Sequence, residues 1–279
     1  ILALAAVFLT SLGTYGADRL SYWESVRDDC APQQSDASAW TESTWEAHVD
    51  CFLDARRFTE AYAAANEGVR YHPRSESLLN LRGFAAARNG LHAVAAYDFR
   101  QGLRVTGSPS GIFENNLAWT MLWQLDRLEP QSAAHVLREA RALYEASLTK
   151  QLTCPRVHTA LYVEYAIASL EASTSPRGAQ SPVARDARAR YARLRDPYGA
   201  CFQLLDHGDE LVVEELLSAA VIDRQMRQLA GHHSPPADVG LFRRAAERGA
   251  ELGVPVDAAF CDRTHPTAPA AAACRDLLR

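Results

Sequence analysis

The sequence predicts an all-α protein. Three observations carry this: apolar residues recur at helical spacing from Trp40 onward, the pattern repeats after 34 residues, and no stretch sustains the alternation of a strand. With 279 residues, of which 48% are hydrophobic, the chain can fill one elongated array or two modest domains. The formal net charge of −5 argues against nucleic acid as a main partner, because phosphate binding needs clustered positive charge. Lys150 is the sole lysine, a bias that reads as GC-rich coding before it reads as function.

Ile1 to Ala17 carries no charge and opens Ile-Leu-Ala-Leu-Ala-Ala-Val-Phe-Leu. It reads as the tail of an export signal or of a membrane anchor, and the stretch starts without Met. A cleavable signal ends in small residues, which Thr14-Tyr15-Gly16 fits loosely, so 1–17 is assigned as an uncleaved transmembrane or signal-anchor segment. Between Asp18 and Asp50 the acids Asp18, Glu24, Asp28, Asp29, Asp36, Glu42, Glu46 and Asp50 meet only Arg19 and Arg27. Cations beside an anchor mark the cytoplasmic side. Their scarcity predicts a single-pass membrane protein whose body is periplasmic or extracellular, with 18–41 as a linker.

Trp45, Val49, Phe52 and Leu53 mark one helix face, and Phe58, Ala61, Tyr62, Ala65 and Val69 mark the next, which Pro73 ends. Shifted by 34, Trp45 maps to Leu79, Ala61 to Ala95, Ala65 to Phe99 and Gly68 to Gly102. Small residues such as Gly83, Ala61 and Ala95 let antiparallel helices approach closely, while Trp45 and Phe99 fill the space beside them. Gly90 falls where a tight interhelical turn needs it.

This period, with its order of aromatic, small residue and closing proline, resembles the tetratricopeptide repeat. Trp45, Phe52, Phe58, Ala61 and Pro73 match in the first unit, where His48 and Val49 replace the usual Leu-Gly. Leu79, Gly83, Gly90, Ala95, Phe99 and Gly102 match in the second. The third starts one residue late at Asn115-Asn116-Leu117-Ala118 and departs beyond Trp123. Its helices are separated by 126–131, and the second, about 132–151, is long but keeps Ala140, Tyr144 and Ser147 at repeat spacing. A helix at about 157–172, with Leu161, Tyr162, Tyr165 and Leu170, serves as the next half-repeat or cap.

The resemblance implies a right-handed α-solenoid over 42–172 that grips a peptide or helix in a concave groove lined by the first helix of each hairpin. Carried over position by position, the groove comprises Glu46 and Asp50, with Leu53 and Asp54, then Asn80, Phe84 and Arg88, then Asn115, Trp119 and Trp123. It would run from an acidic to an aromatic end, which implies a partner segment with apolar anchors and some positive charge. Trp119 and Trp123 are the hot-spot candidates; the competing reading makes both interhelical core.

Beyond the array, 173–183 (Ser-Thr-Ser-Pro-Arg-Gly-Ala-Gln-Ser-Pro-Val) reads as a linker, and 184–279 as a further helical region. Helices are expected near 185–195, 209–229, 238–252 and 270–278. Arg185, Arg188, Arg190, Arg193 and Arg195 crowd the first of these, either as a solvated face or as a dock for anionic lipid or an acidic protein. The six cysteines fall as sequence neighbours, Cys30 with Cys51, Cys154 with Cys201 and Cys261 with Cys274, which an oxidising compartment would let bridge. Fifteen pairings are possible and buried free thiols are the alternative. No CxxC pair exists, so the usual zinc and thiol-exchange signatures are lacking.

Catalytic groups at usable spacing are scarce. In the Gly-Ser-Pro-Ser-Gly run at 107–111 proline stands where a nucleophile elbow needs serine, so the run reads as a loop between repeats. His232-His233 reads as an exposed loop, and His207 with Asp206, Asp209 and Glu210 as a polar helix start. No phosphate loop or dinucleotide fingerprint is present, and no cofactor or metal is expected. The sequence thus points to a non-enzymatic, membrane-tethered interaction scaffold of a bacterial envelope, with membrane or envelope proteins as partners. Two alternatives stand beside it: a structural subunit with an empty groove, and an enzyme or ligand-binding protein with its site in 185–279.

Overall fold

The structure, a computed structural model, describes residue 30, residues 37–204, 210–231, parts of 243–250 and 256–278, with side chains left aside at 196–204 and 210–216. Among the described residues every regular element is helical, and the chain divides into two compact units, Ile1–Gly107 and Ser108–Arg279. No helix among them is long and apolar enough to cross a membrane. The expected anchor at 1–17 and the histidines at 207, 232 and 233 lie outside the described residues, as does most of the helix expected near 238–252.

The first unit holds four helices, α1 (Glu42–Asp54), α2 (Phe58–Tyr71), α3 (Glu76–Arg88) and α4 (His92–Thr106). Each packs on the next, and α1 also packs on α3. The two hairpins are the same object translated by 34 residues. Thr41 and Ser75 sit at equivalent N-caps and accept the N–H of Thr44 at 3.2 Å and of Leu78 at 3.0 Å, each satisfying one orphan donor. The interhelical turns match as well: Arg57 N–H reaches Phe52 O at 2.8 Å and Leu91 N–H reaches Ala86 O at 2.9 Å. Their middle residues, Arg56 and Gly90, are left-handed at φ 56° and 73°. Glycine takes that conformation freely, whereas an L side chain there costs roughly 1–2 kcal/mol.

Close approach follows from the small residues. A Cβ on Gly83 would stand 2.5 Å from the Phe99 ring, so only glycine lets α3 and α4 close over that fully buried side chain. Gly68 similarly admits Leu78 and the Cβ of Trp45. Trp45 stacks on Tyr71 at 5.8 Å and meets Trp40 at 4.4 Å. The stretch expected as a linker is tied to the hairpins at two points: Cys30 is bonded to Cys51, with Cα atoms 5.7 Å apart, and Trp40 is buried. His48 Nδ1 contacts Cys30 O at 2.9 Å, and His72 Nε2 contacts Trp40 O at 3.0 Å.

In the second unit α5 (Ile112–Leu122), α6 (Pro130–Lys150), α8 (Pro182–Leu204) and α9 (Glu210–Leu229) all pack on α7 (Cys154–Thr174). Every residue of α7 from Arg156 to Ala168 is buried, as expected of a helix surrounded by others. Two short helices, α10 (Ala258–Thr264) and α11 (Ala268–Leu277), pack on each other, and α11 also packs on α9. α10, capped by Asp257 accepting the Phe260 N–H at 2.7 Å, was not foreseen. Cys261 and Cys274 join them, with Cα atoms 5.7 Å apart, and Cys154 is also disulfide-bonded.

The expected linker 173–183 differs from what is observed. It holds the end of α7, a 3₁₀ turn at Gly178–Gln180 and the start of α8, and α8 packs along α7. Pro and Gly there turn the chain tightly instead of loosening it, and the division between units falls at Gly107–Ser108.

Candidate partner-binding face

Glu46, Asp50 and Asp54 stand at i, i+4 and i+8 on α1, and Asn80, Phe84 and Arg88 occupy the equivalent places on α3. The helices that carry the two stripes pack on each other. Asp50 and Asp54 are exposed, and Glu46, Asn80, Phe84 and Arg88 are half-buried. Partial desolvation by the surrounding protein pushes the Asp50 carboxyl above its ordinary value, and repulsion from Asp54 and Glu46 adds to it. Arg88 lies over the Phe58 ring at 5.0 Å, which orients its guanidinium at the end of its stripe. The face can therefore offer an acidic edge beside an aromatic and amide edge.

The other expected contact residues belong to the second unit. Asn115 is buried, not presented to solvent: its amide donates to Asn116 Oδ1 at 2.9 Å, while its own Oδ1 finds no partner in the protein. Its neighbour Glu114, the place without the one-residue shift, is buried as well, so neither register presents this position. Trp119 is half-buried and packs at 5.2 Å from both His158 and Tyr162. Trp123 is half-buried just past the end of α5.

Around Trp119 lies a buried polar cluster that the sequence reading did not find. Tyr162 Oη and His265 Nδ1 are 2.8 Å apart, and Thr267 stands close to both Tyr162 and Tyr165. Burial holds His158 down to about 4. It holds His265 down to about 3, with the neighbouring His158 adding to the effect. Burial likewise pushes Tyr165 up to about 12. His265 Nε2 and the Thr264 hydroxyl are buried without a protein partner. The available signal was an otherwise apolar helix interrupted by His158 and Glu164, read only for its packing residues.

Glu164 is fully buried and accepts from both Arg141 and Tyr144. Arg141 also reaches Asp186 at 3.3 Å, and Arg190 bridges Asp186 at 3.0 Å and Glu145 at 2.5 Å. The arginine-rich helix is thus largely spent within the unit: Arg188 donates to Ala179 O at 2.5 Å and Arg195 pairs with Asp223 at 3.0 Å, leaving Arg185 and Arg193 exposed. In the 107–111 loop, Ser108 donates to Glu114 at 2.5 Å, and Lys150 donates to Glu114 and to Ser108 O at 2.5 and 2.6 Å. That makes Ser108 a structural knot, and it gives the sole lysine a role composition concealed. No family model, curated protein or solved structure matches the chain.

Proposed function

We propose that this protein is a tetratricopeptide-type interaction scaffold, tethered at a bacterial membrane with its body on the exported side, that works by holding a partner and not by catalysis. The observation that carries the reading is the 34-residue recurrence of cap and turn in the first unit, by which Glu46, Asp50 and Asp54 on α1 and Asn80, Phe84 and Arg88 on α3 hold equivalent places on two helices that pack together. Repeats of this kind present stacked first helices as a binding face. The acidic edge and Phe84 suit a segment carrying positive charge and an apolar anchor. The bonded cysteine pairs support an oxidising compartment.

A photo-crosslinking residue placed at Asp50 or at Phe84 in the full chain, in native membranes, should yield one discrete product of the same mass. That product should disappear on Glu46→Lys with Asp54→Lys. An equal yield from Ala63, on the second helix of the same hairpin, would show that the face is not selective and would remove the proposal.

A further inference from the structure

The bend between α10 and α11 is mostly polar, yet it is buried. Thr264, His265, Pro266 and Thr267 all lie inside, whereas segments joining helices ordinarily run over the surface. Polar ties seat the bend. Tyr162 Oη of α7 and His265 Nδ1 are 2.8 Å apart, Thr267 stands beside Tyr162 and Tyr165, and the Ala268 N–H donates to Asp126 Oδ2 at 2.7 Å. Seating also has a cost, since His265 Nε2 and the Thr264 hydroxyl are buried there without a protein partner. Apolar burial adds little to the hold: the buried residues of α11 are Ala270, Ala271, Ala273 and Cys274, and side chains so small bring little area to its packing on α9.

Within itself the hairpin is firmly joined. Cys261 is bonded to Cys274, Asp262 pairs with Arg275, Asp257 caps α10, and Arg263 lies over the buried Phe260 ring at 5.9 Å. We propose that the α10–α11 hairpin is an acid-released plug: its bend seats against α7 at neutral pH and withdraws as one body in acid, uncovering the Tyr162 and Tyr165 face of α7. A proton on His265 would place a charge in a buried site whose surrounding carboxylates are solvated or already committed. From α7 come His158, Tyr162 and Tyr165, and Glu164, which is bonded to Arg141 and Tyr144. Asp126 is exposed, as are the hairpin's own Asp257, Asp262 and Asp276. Among its described side chains α9 brings Asp223, Arg224 and Arg227, and Asp223 is bonded to Arg195 at 3.0 Å and to Arg227 at 2.8 Å. His158 is itself a base, so a second proton adds repulsion. Burial accordingly holds both imidazoles below their ordinary value near 6.5, which His265 regains once withdrawn. The withdrawn state therefore binds more protons below pH 6.5, and the seated state loses ground as pH falls, by roughly thirtyfold for His265 at pH 5.

The test is hydrogen exchange of the full chain at pH 7 and pH 5, with each rate taken relative to the intrinsic exchange rate at that pH. Amides of 258–278 should lose about thirtyfold in protection at pH 5, while those of α6 keep theirs, and should regain it on return to pH 7. His265→Gln retains a polar side chain that takes up no proton, so a hairpin protected in this variant at pH 7 should stay protected at pH 5. Loss of its protection in acid would overturn the proposal. Should the variant fail to seat the hairpin at pH 7, the unaltered chain decides: its His265 imidazole resonance must titrate at the midpoint of the protection loss, and a separate midpoint overturns the proposal. Undiminished protection at 258–278 at pH 5 also overturns it. So does loss of protection over 108–278 in a single step, which would make the bend part of the core and not a plug.

Discussion

The two units are both helical, yet different chemistry closes the space between their helices. In the first, small residues meet large ones, Gly83 under Phe99 and Gly68 against Leu78, with Arg82–Asp98 as its half-buried ion pair. In the second, charged and polar groups are carried inside: Glu164 between Arg141 and Tyr144, Glu114 between Ser108 and Lys150, and His265 against Tyr162. The lesson concerns vulnerability. A steric joint fails gradually with volume, whereas a buried ionic joint fails at once when one partner is removed and the other stays buried.

The largest expected effect follows from that contrast. Glu164→Ala leaves Arg141 and Tyr144 facing an empty, water-poor site and should cost the second unit about 3–5 kcal/mol. Denaturant unfolding followed by hydrogen exchange should show 108–279 lost first, with the 42–106 hairpins still protected. Simultaneous unfolding of both units would show that the boundary at Gly107–Ser108 is not energetic.

Acid should separate the units next. His158 and His265 are held neutral at about 4 and about 3 in the folded state, below the ordinary value near 6.5. The unfolded chain therefore binds more protons below pH 6.5, and stability present above that pH is lost as it falls. Two such groups should cost the second unit roughly 2–4 kcal/mol between pH 6.5 and pH 5. His265→Gln should flatten the melting temperature against pH over that window; an unchanged slope would place the acid sensitivity elsewhere.

Smaller effects probe the first unit. Gly83→Ala drives a methyl into the Phe99 ring and should cost about 1–3 kcal/mol, most of it recovered by Phe99→Leu in a double-mutant cycle. Purely additive losses would mean the two residues are not a packing pair. The smallest change should be a gain: Arg56→Gly gives the first turn the residue the second already has at Gly90, and should stabilise by up to about 1 kcal/mol. A loss in thermal melts would mean that the Arg56 side chain contributes more than its backbone strain.

The candidate face was readable to the extent that it repeats. Glu46, Asp50, Asn80, Phe84 and Arg88 sit on the first helices of two hairpins whose positions a 34-residue shift relates, and Pro73 falls two residues beyond the end of α2. The reading weakened where the period slipped. In the third repeat Glu114 and Asn115 are both buried and Trp119 packs against His158 and Tyr162, because α7 packs on α5, a contact between distant segments that the repeat period does not encode. The exposure of Leu91, Val94, Tyr97 and Val105 was equally hidden, because they look like core residues until their neighbours are known.

The sequence by itself determined the helical class, the two hairpins with the Gly90 turn and the Pro73 stop, and the candidacy of neighbouring cysteines, because each of those rests on residues a fixed and short distance apart. Tertiary structure alone decided that α7 is buried from Arg156 to Ala168, that Glu164, Arg141, Asp186 and Arg190 join in one ionic network, and that His265 closes on Tyr162. Those partners are separated by up to 103 residues. No period links them, and a buried carboxylate or imidazole looks like a solvated one until the chain has brought its surroundings together.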